Sequence, residues 1–122
     1  MYEVSVKRHF SAAHCLREVG GKCEELHGHN FLVEVSVSGN TVDDHGLLLD
    51  FRLLKMWIDE SLVDLDHHFL NEVAPFKGTN PSAERIARLL HARLSAKAAD
   101  CKLLVSRVTV WESENARVSY SL

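Results

Sequence analysis

Two stretches of apolar–polar alternation lead into histidines of one parity, and this constrains the fold of the chain more than any other feature. Between Tyr2 and about Ala13, Tyr2, Val4, Val6, Phe10 and Ala12 share one side, against Glu3, Ser5, Lys7, His9 and Ser11 on the other. From His29 to about Ser38, Phe31, Val33, Val35 and Val37 oppose Leu32, Glu34, Ser36 and Ser38. Side chains alternate across a strand, so each stretch reads as a strand with one buried face. If the first strand runs on without a bulge, His14 falls on its apolar side. His27 and His29 have the parity of the valines. A single His in such a place is ordinarily a hydrogen-bonded core residue. Three on the inner side of neighbouring strands are costly unless something satisfies them together, and a metal ion does so. Gly28, between two of them, is expected to let the backbone bend as ligands close on the ion. Arg8 interrupts the apolar side of the first strand, and the sequence offers no reason for it.

Elsewhere the period changes. Cys15 to Glu25, with Gly20-Gly21, reads as a loop, and Gly39 to Gly46 as a polar connection in which His45 belongs to a solvated turn. From Phe51, residues Leu54, Trp57, Ile58, Leu62 and Leu65 fall at helical spacing, with Asp50 as N-cap. Leu65-Asp66-His67 stands at or just beyond the end of that helix. Pro75 and Gly78 mark a loop, and Asn80-Pro81 predicts a second helix start, Asn as cap and Pro in the first turn. Ile86, Leu89, Leu90 and Leu94 form its apolar stripe. A third strand is expected over Leu103 to Glu112, and a fourth in which Val118, Tyr120 and Leu122 alternate. The order is strand, strand, helix, helix, strand, strand: an α+β chain expected to form one domain over residues 1–122.

Zinc on His14, His27 and His29 would keep one coordination position free, the arrangement of catalytic rather than structural sites. Cys23 is either a fourth ligand closing the site or a separate thiolate base, and the open site suits a chain large enough to need no metal staple. Asp66 and His67 are either a polar turn or a His with the carboxylate that orients it. Glu112 lies in line with Val108 and Val110. It is either a salt-bridged structural carboxylate or a receptor for two adjacent N–H donors of a ligand.

A net charge of -3 gives no reason to expect nucleic acid as the main partner, and no apolar run approaches a membrane span. The N-terminus lacks a signal-peptide pattern. Three cysteines at irregular spacing argue against a disulfide framework and fit a reduced, cytoplasmic setting.

Phe10-Ser11-Ala12-Ala13-His14, Cys23-x-x-x-His27-Gly28-His29-Asn30, Gly46 with Asp50-Phe51, Leu65-Asp66-His67, Asn80-Pro81-Ser82-Ala83-Glu84 and Glu112 occur in that order along nearly the whole chain. Together they resemble the 6-pyruvoyl-tetrahydropterin synthase family, and within it the bacterial 6-carboxytetrahydropterin synthases of queuosine biosynthesis. The resemblance implies the tunnelling fold: a four-stranded antiparallel sheet with two helices on one face, assembling through a barrel into a homohexamer, a dimer of trimers with active sites between subunits. It implies zinc on His14, His27 and His29, and Cys23 as the proton-abstracting base assisted by Asp66 and His67. Glu112 would anchor the pterin, with Ser82 and Glu84 contacting it from the adjacent subunit; relatives often carry Thr where this chain has Ser82. The implied substrate is 7,8-dihydroneopterin triphosphate, converted to 6-carboxy-5,6,7,8-tetrahydropterin with loss of triphosphate and acetaldehyde. Pyruvoyl and 6-hydroxymethyl products are the alternatives. The latter is raised by Glu24, since some relatives place a Glu at this point of the motif. A non-enzymatic alternative is a zinc-bearing pterin-binding protein.

Overall fold

The computed structural model describes residues Met1–Leu122. Four strands, β1 (Tyr2–His14), β2 (His27–Gly39), β3 (Leu104–Ser113) and β4 (Ala116–Tyr120), form one antiparallel sheet in sequence order. Helices α1 (Phe51–Leu62) and α2 (Ala83–Asp100) are inserted between β2 and β3. Both pack on one face, α1 over β1 and α2 over β3 and β4. The alternation that defines the strands selects that face: Val6, Phe10, Phe31, Val33, Val35, Val108 and Val110 are buried against Leu54, Ile58, Ile86, Leu90 and Leu94 in one continuous core. Burial of these side chains, each contributing roughly 1.5–3 kcal/mol, holds the two layers together.

β1 and β2 pair without interruption from Tyr2↔Gly39 to His14↔His27, so β2 starts two residues earlier than its alternation suggests. Gly28 lies in this regular ladder opposite Ala13, and a Cβ there would make an ordinary 3.7 Å contact with the Ala12 carbonyl. The expected bend at Gly28 is not used: strand pairing rather than glycine freedom places the two histidines. A bulge between Ser36 and Val37 ends the alternation of β2, and Ser36 and Ser38 are buried with the valines. Arg8 now has its reason. Its guanidinium reaches from the inner face to Asp59 on α1, with Nε donating at 2.8 Å, and ties sheet to helix at the rim of the core.

Asp50 caps α1 as expected, accepting from the Arg52 N–H at 2.8 Å. α2 differs. Its N-cap is Ser82, whose hydroxyl accepts from the Arg85 N–H, rather than Asn80, and Pro81 precedes the helix. The Asn80 side chain is committed elsewhere, to the backbone of Arg17. At the C-terminal edge β4 stops at Tyr120, and Leu122 is exposed instead of continuing the alternation.

Candidate metal centre and active site

His14 and His27 are paired residues on adjacent strands, and Ala12↔His29 is the pair two rungs along. Equal parity sends all three imidazoles to the inner side, at the end of the sheet beyond the helices' main footprint. The ring centroids are 4.5 Å (His14–His27), 4.8 Å (His27–His29) and 5.2 Å (His14–His29) apart. Phe31 lies edge-on behind both His14 and His29 and walls the cluster from the core.

Hydrogen bonds fix which nitrogen His14 and His27 present. His14 Nδ1 lies 2.8 Å from the Pro81 carbonyl and His27 Nδ1 lies 2.7 Å from the Glu25 carbonyl. A carbonyl only accepts, so both Nδ1 atoms carry the proton and both Nε2 atoms present lone pairs. The Nε2 atoms of His14 and His29 are buried with no hydrogen-bond partner. Orphaned buried nitrogens of this kind are rare and need an explanation. One ligand atom from each His lies within 4.8 Å of the others, so the three can hold a metal ion. Burial holds His14 and His29 below the ordinary histidine range, keeping both in the neutral form that a metal requires.

Glu112, near the end of β3, brings Oε2 to 4.0 Å from His29 Nε2. It lines a cavity of about 390 Å³ together with Asn80, Ser82, Glu84 and Arg117. Glu112, Ser82 and Glu84 of a single chain therefore border one space beside the triad.

The other expected site residues sit apart from that cavity. Cys23 lies in a short helical turn, Gly21–Glu24, and is exposed; its carbonyl accepts from the Leu16 N–H at 2.7 Å. Glu24 is occupied structurally, since its carboxylate accepts from the Glu18 N–H at 2.9 Å. Asp66 and His67 follow α1 and are strapped along the end of β1. The His67 N–H donates to the Ser11 carbonyl, and the Ala13 N–H to that of His68. Asp66 Oδ1 accepts from the Ser11 N–H at 2.9 Å and lies 2.9 Å from His67 Nδ1. The Ser11 N–H, more than His67, holds the Asp66 carboxyl below the usual carboxylate range. His67 has φ 60, a left-handed conformation costly for a non-glycine residue and frequent at functional sites. Its side chain is 80% exposed and, with Ser11, Asn30 and Phe69, lines a shallow cleft that Gly28 and His29 also border.

Sequence reasoning missed two asparagines. Asn71 accepts from the Cys15 N–H and donates to its carbonyl; Asn80 does the same for Arg17. Each amide mimics a strand partner and pins the start of the loop that carries Cys23. Nothing in the local sequence marks Asn71, and the Asn80-Pro81 pair reads as a helix cap rather than as this backbone clamp.

Comparison with known proteins places this architecture. The profile of the 6-pyruvoyl tetrahydropterin synthase family matches residues 3–122. A 6-carboxy-5,6,7,8-tetrahydropterin synthase of Synechocystis is 37% identical over 90 residues, 70% of this chain and 68% of that protein. A dihydroneopterin monophosphate aldolase of Pyrococcus furiosus is 36% identical over 104 residues, 84% of this chain and 82% of the relative. Among solved structures, the 6-pyruvoyl tetrahydropterin synthase of Caenorhabditis elegans superposes with a TM-score of 0.84 at 27% identity, covering 100% of this chain and 97% of the other. The chain belongs to the 6-pyruvoyl tetrahydropterin synthase family.

Proposed function

We propose that the protein is a zinc-dependent 6-carboxy-5,6,7,8-tetrahydropterin synthase, acting on 7,8-dihydroneopterin triphosphate in the cytoplasm as a step of queuosine biosynthesis. The observation that carries this reading is the His14–His27–His29 cluster, with the Nε2 atoms of His14 and His29 orphaned and Glu112 beside it, in a chain of this family. His14, His27 and His29 would hold the zinc, which when bound supplies electrophilic polarisation of the substrate's side-chain hydroxyls. Glu112 accepts from the pterin ring N–H and exocyclic amine, a pairing that its two carboxylate oxygens match. Ser82 and Glu84 contact the pterin from the adjacent subunit. Cys23 removes the side-chain proton, and His67, oriented by Asp66, assists it. Triphosphate then leaves, and a water molecule cleaves the remaining side chain, leaving the carboxylate on the ring and releasing acetaldehyde.

The engagement of Glu24 with the Glu18 backbone supports Cys23, rather than Glu24, as the base, and so favours the carboxy product over the folate-type one. The exposure of Cys23 and His67 suits an active site completed between subunits, in the homohexamer implied by the family resemblance. Three free cysteines suit a reducing compartment.

Mass-spectrometric product analysis of zinc-loaded protein incubated with 7,8-dihydroneopterin triphosphate tests the reading. 6-Carboxytetrahydropterin with acetaldehyde is expected. A pyruvoyl or hydroxymethyl product would keep the fold and the site but reassign the reaction, and bound pterin without turnover would make the protein a binder.

A further inference from the structure

Next to the Glu112 cavity lies a second one of about 350 Å³ with no apolar residue in its lining. Arg17, Glu18, Asn71, Thr79, Asn80 and Arg85 surround it. Asn80 and Arg85 border both cavities, and the intervening Pro81 carbonyl accepts the hydrogen bond from His14. Triad, pterin cavity and polar cavity thus meet along residues 80–85.

Four of the eight arginines of this chain are already engaged, and of the other four only Arg17 and Arg85 line this cavity. Arg8 is paired with Asp59, Arg52 with Asp50 and Arg93 with Asp64, while Arg117 lies over the Trp111 ring. Arg17 and Arg85 belong to no ion pair and face one cavity. The backbone at Arg17 is fixed by the Asn80 amide, at 2.7 Å from its N–H and 2.9 Å from its carbonyl, which leaves the guanidinium unspent. Two planar, permanently charged forks converging on a polar space match the oxygens of phosphoryl groups. Glu18 in the same lining subtracts one charge from two and leaves the cavity cationic.

We infer that this cavity receives the phosphate chain of the substrate, with Arg17 and Arg85 as its ligands and Asn80 as the shared wall between phosphate and pterin. The inference rests on the pterin reading above, and it selects two cations where the sequence offers many.

Neopterin triphosphate and neopterin, unreactive fluorescent analogues that differ only in the phosphates, measure the assignment by titration against the zinc-loaded full chain. The wild type should bind the triphosphate more tightly than neopterin. Arg17→Ala should weaken triphosphate binding about tenfold, the scale of one charged hydrogen-bonding group, and leave neopterin binding unchanged, whereas Arg85→Ala, which borders both cavities, should weaken the triphosphate more than neopterin. Glu18→Gln should tighten the triphosphate alone. If Arg85→Ala, in the first turn of α2, fails to fold, Arg17→Ala on its exposed loop carries the test. Triphosphate affinity unchanged in the Arg17 variant overturns the inference, as does equal loss of both ligands. Wild-type protein that binds neopterin without gain from the phosphates overturns this inference alone; wild-type protein that binds neither overturns the pterin reading with it.

Discussion

His14, His27 and His29 stand on paired rungs of two long strands, whereas Cys23, Asp66 and His67 sit on turns at the margin of the same sheet. The histidines are placed by register: a one-residue slip of β1 against β2 would turn His14 to the outer face while His27 and His29 stayed inward. Backbone carbonyls already choose the donor nitrogens of His14 and His27, and the Nε2 atoms of His14 and His29 are buried and unpartnered. The turn residues are held only through their backbones and through Asp66, and their reactive ends are exposed. The contrast fits the two tasks. A metal needs ligands fixed before it arrives. The proton-transfer role proposed for Cys23, Asp66 and His67 calls for a closed, partly dry environment, which the homohexamer implied by the family resemblance would supply from a neighbouring subunit.

The largest effect expected from breaking this contrast comes from the triad. His27→Ala removes a ligand at the edge of the cluster. Metal content by plasma mass spectrometry should drop, and turnover should fall on the order of 10³-fold or more, the scale of losing a preorganised electrostatic group. His14→Ala should do the same and also cost roughly 2–4 kcal/mol of stability, because it opens a cavity in a fully buried place and strands the Pro81 carbonyl. Full metal occupancy in His27→Ala would remove the triad as the metal site.

Cys23→Ala separates the two regions. The thiol is exposed and stands outside the His14–His27–His29 group, so stability should change by no more than about 0.5 kcal/mol and zinc should stay. Turnover should fall by about 10²–10⁴, the range for a lost general base. Lost zinc in this variant would instead make Cys23 a fourth ligand, the closed site that spacing alone allows.

The metal-free protein should show the charge state of the triad. Burial depresses His14 and His29 in the folded chain, while the unfolded chain titrates near the ordinary value of 6.5. As pH falls through about 6.5 the unfolded state takes up protons first, so stability is full above that value and declines below it. Chemical denaturation of the apo-protein at several pH values reads this directly. His14→Ala should flatten the decline, because burial of that ring contributes to it.

How far the sequence foretold each region follows the same division. The parity of His14, His27 and His29 with Phe10, Phe31 and the valines is a statement about strands, and strand periodicity survives folding unchanged. The helical stripes of α1 and α2 are legible for the same reason. The bulge at Ser36, the strap of residues 66–69 along β1 and the use of Asn71 and Asn80 as surrogate strand partners depend on contacts between distant segments, which no local pattern encodes. Asn80 shows the cost: Asn before Pro reads as a helix cap, but a tertiary demand from Arg17 takes its side chain and leaves the cap to Ser82. Arg8 is the mirror case, a local irregularity whose reason is Asp59 on α1.

Ser82 gives the smallest effect and the finest test, because it stands where fold and site overlap. Its hydroxyl accepts from the Arg85 N–H at the head of α2, and the residue borders the cavity that Glu112 faces. If capping is its whole role, Ser82→Ala should cost about 1 kcal/mol of stability and leave the KM for dihydroneopterin triphosphate unchanged. If the hydroxyl also meets the pterin, KM should rise by a few-fold, about 1 kcal/mol in binding, with kcat nearly constant. Ser82→Thr keeps a hydroxyl in the same place and should restore both quantities. A KM that rises in Ser82→Ala and recovers in Ser82→Thr would assign Ser82 to the ligand as well as to the helix; stability recovering while KM never moved would confine it to the cap.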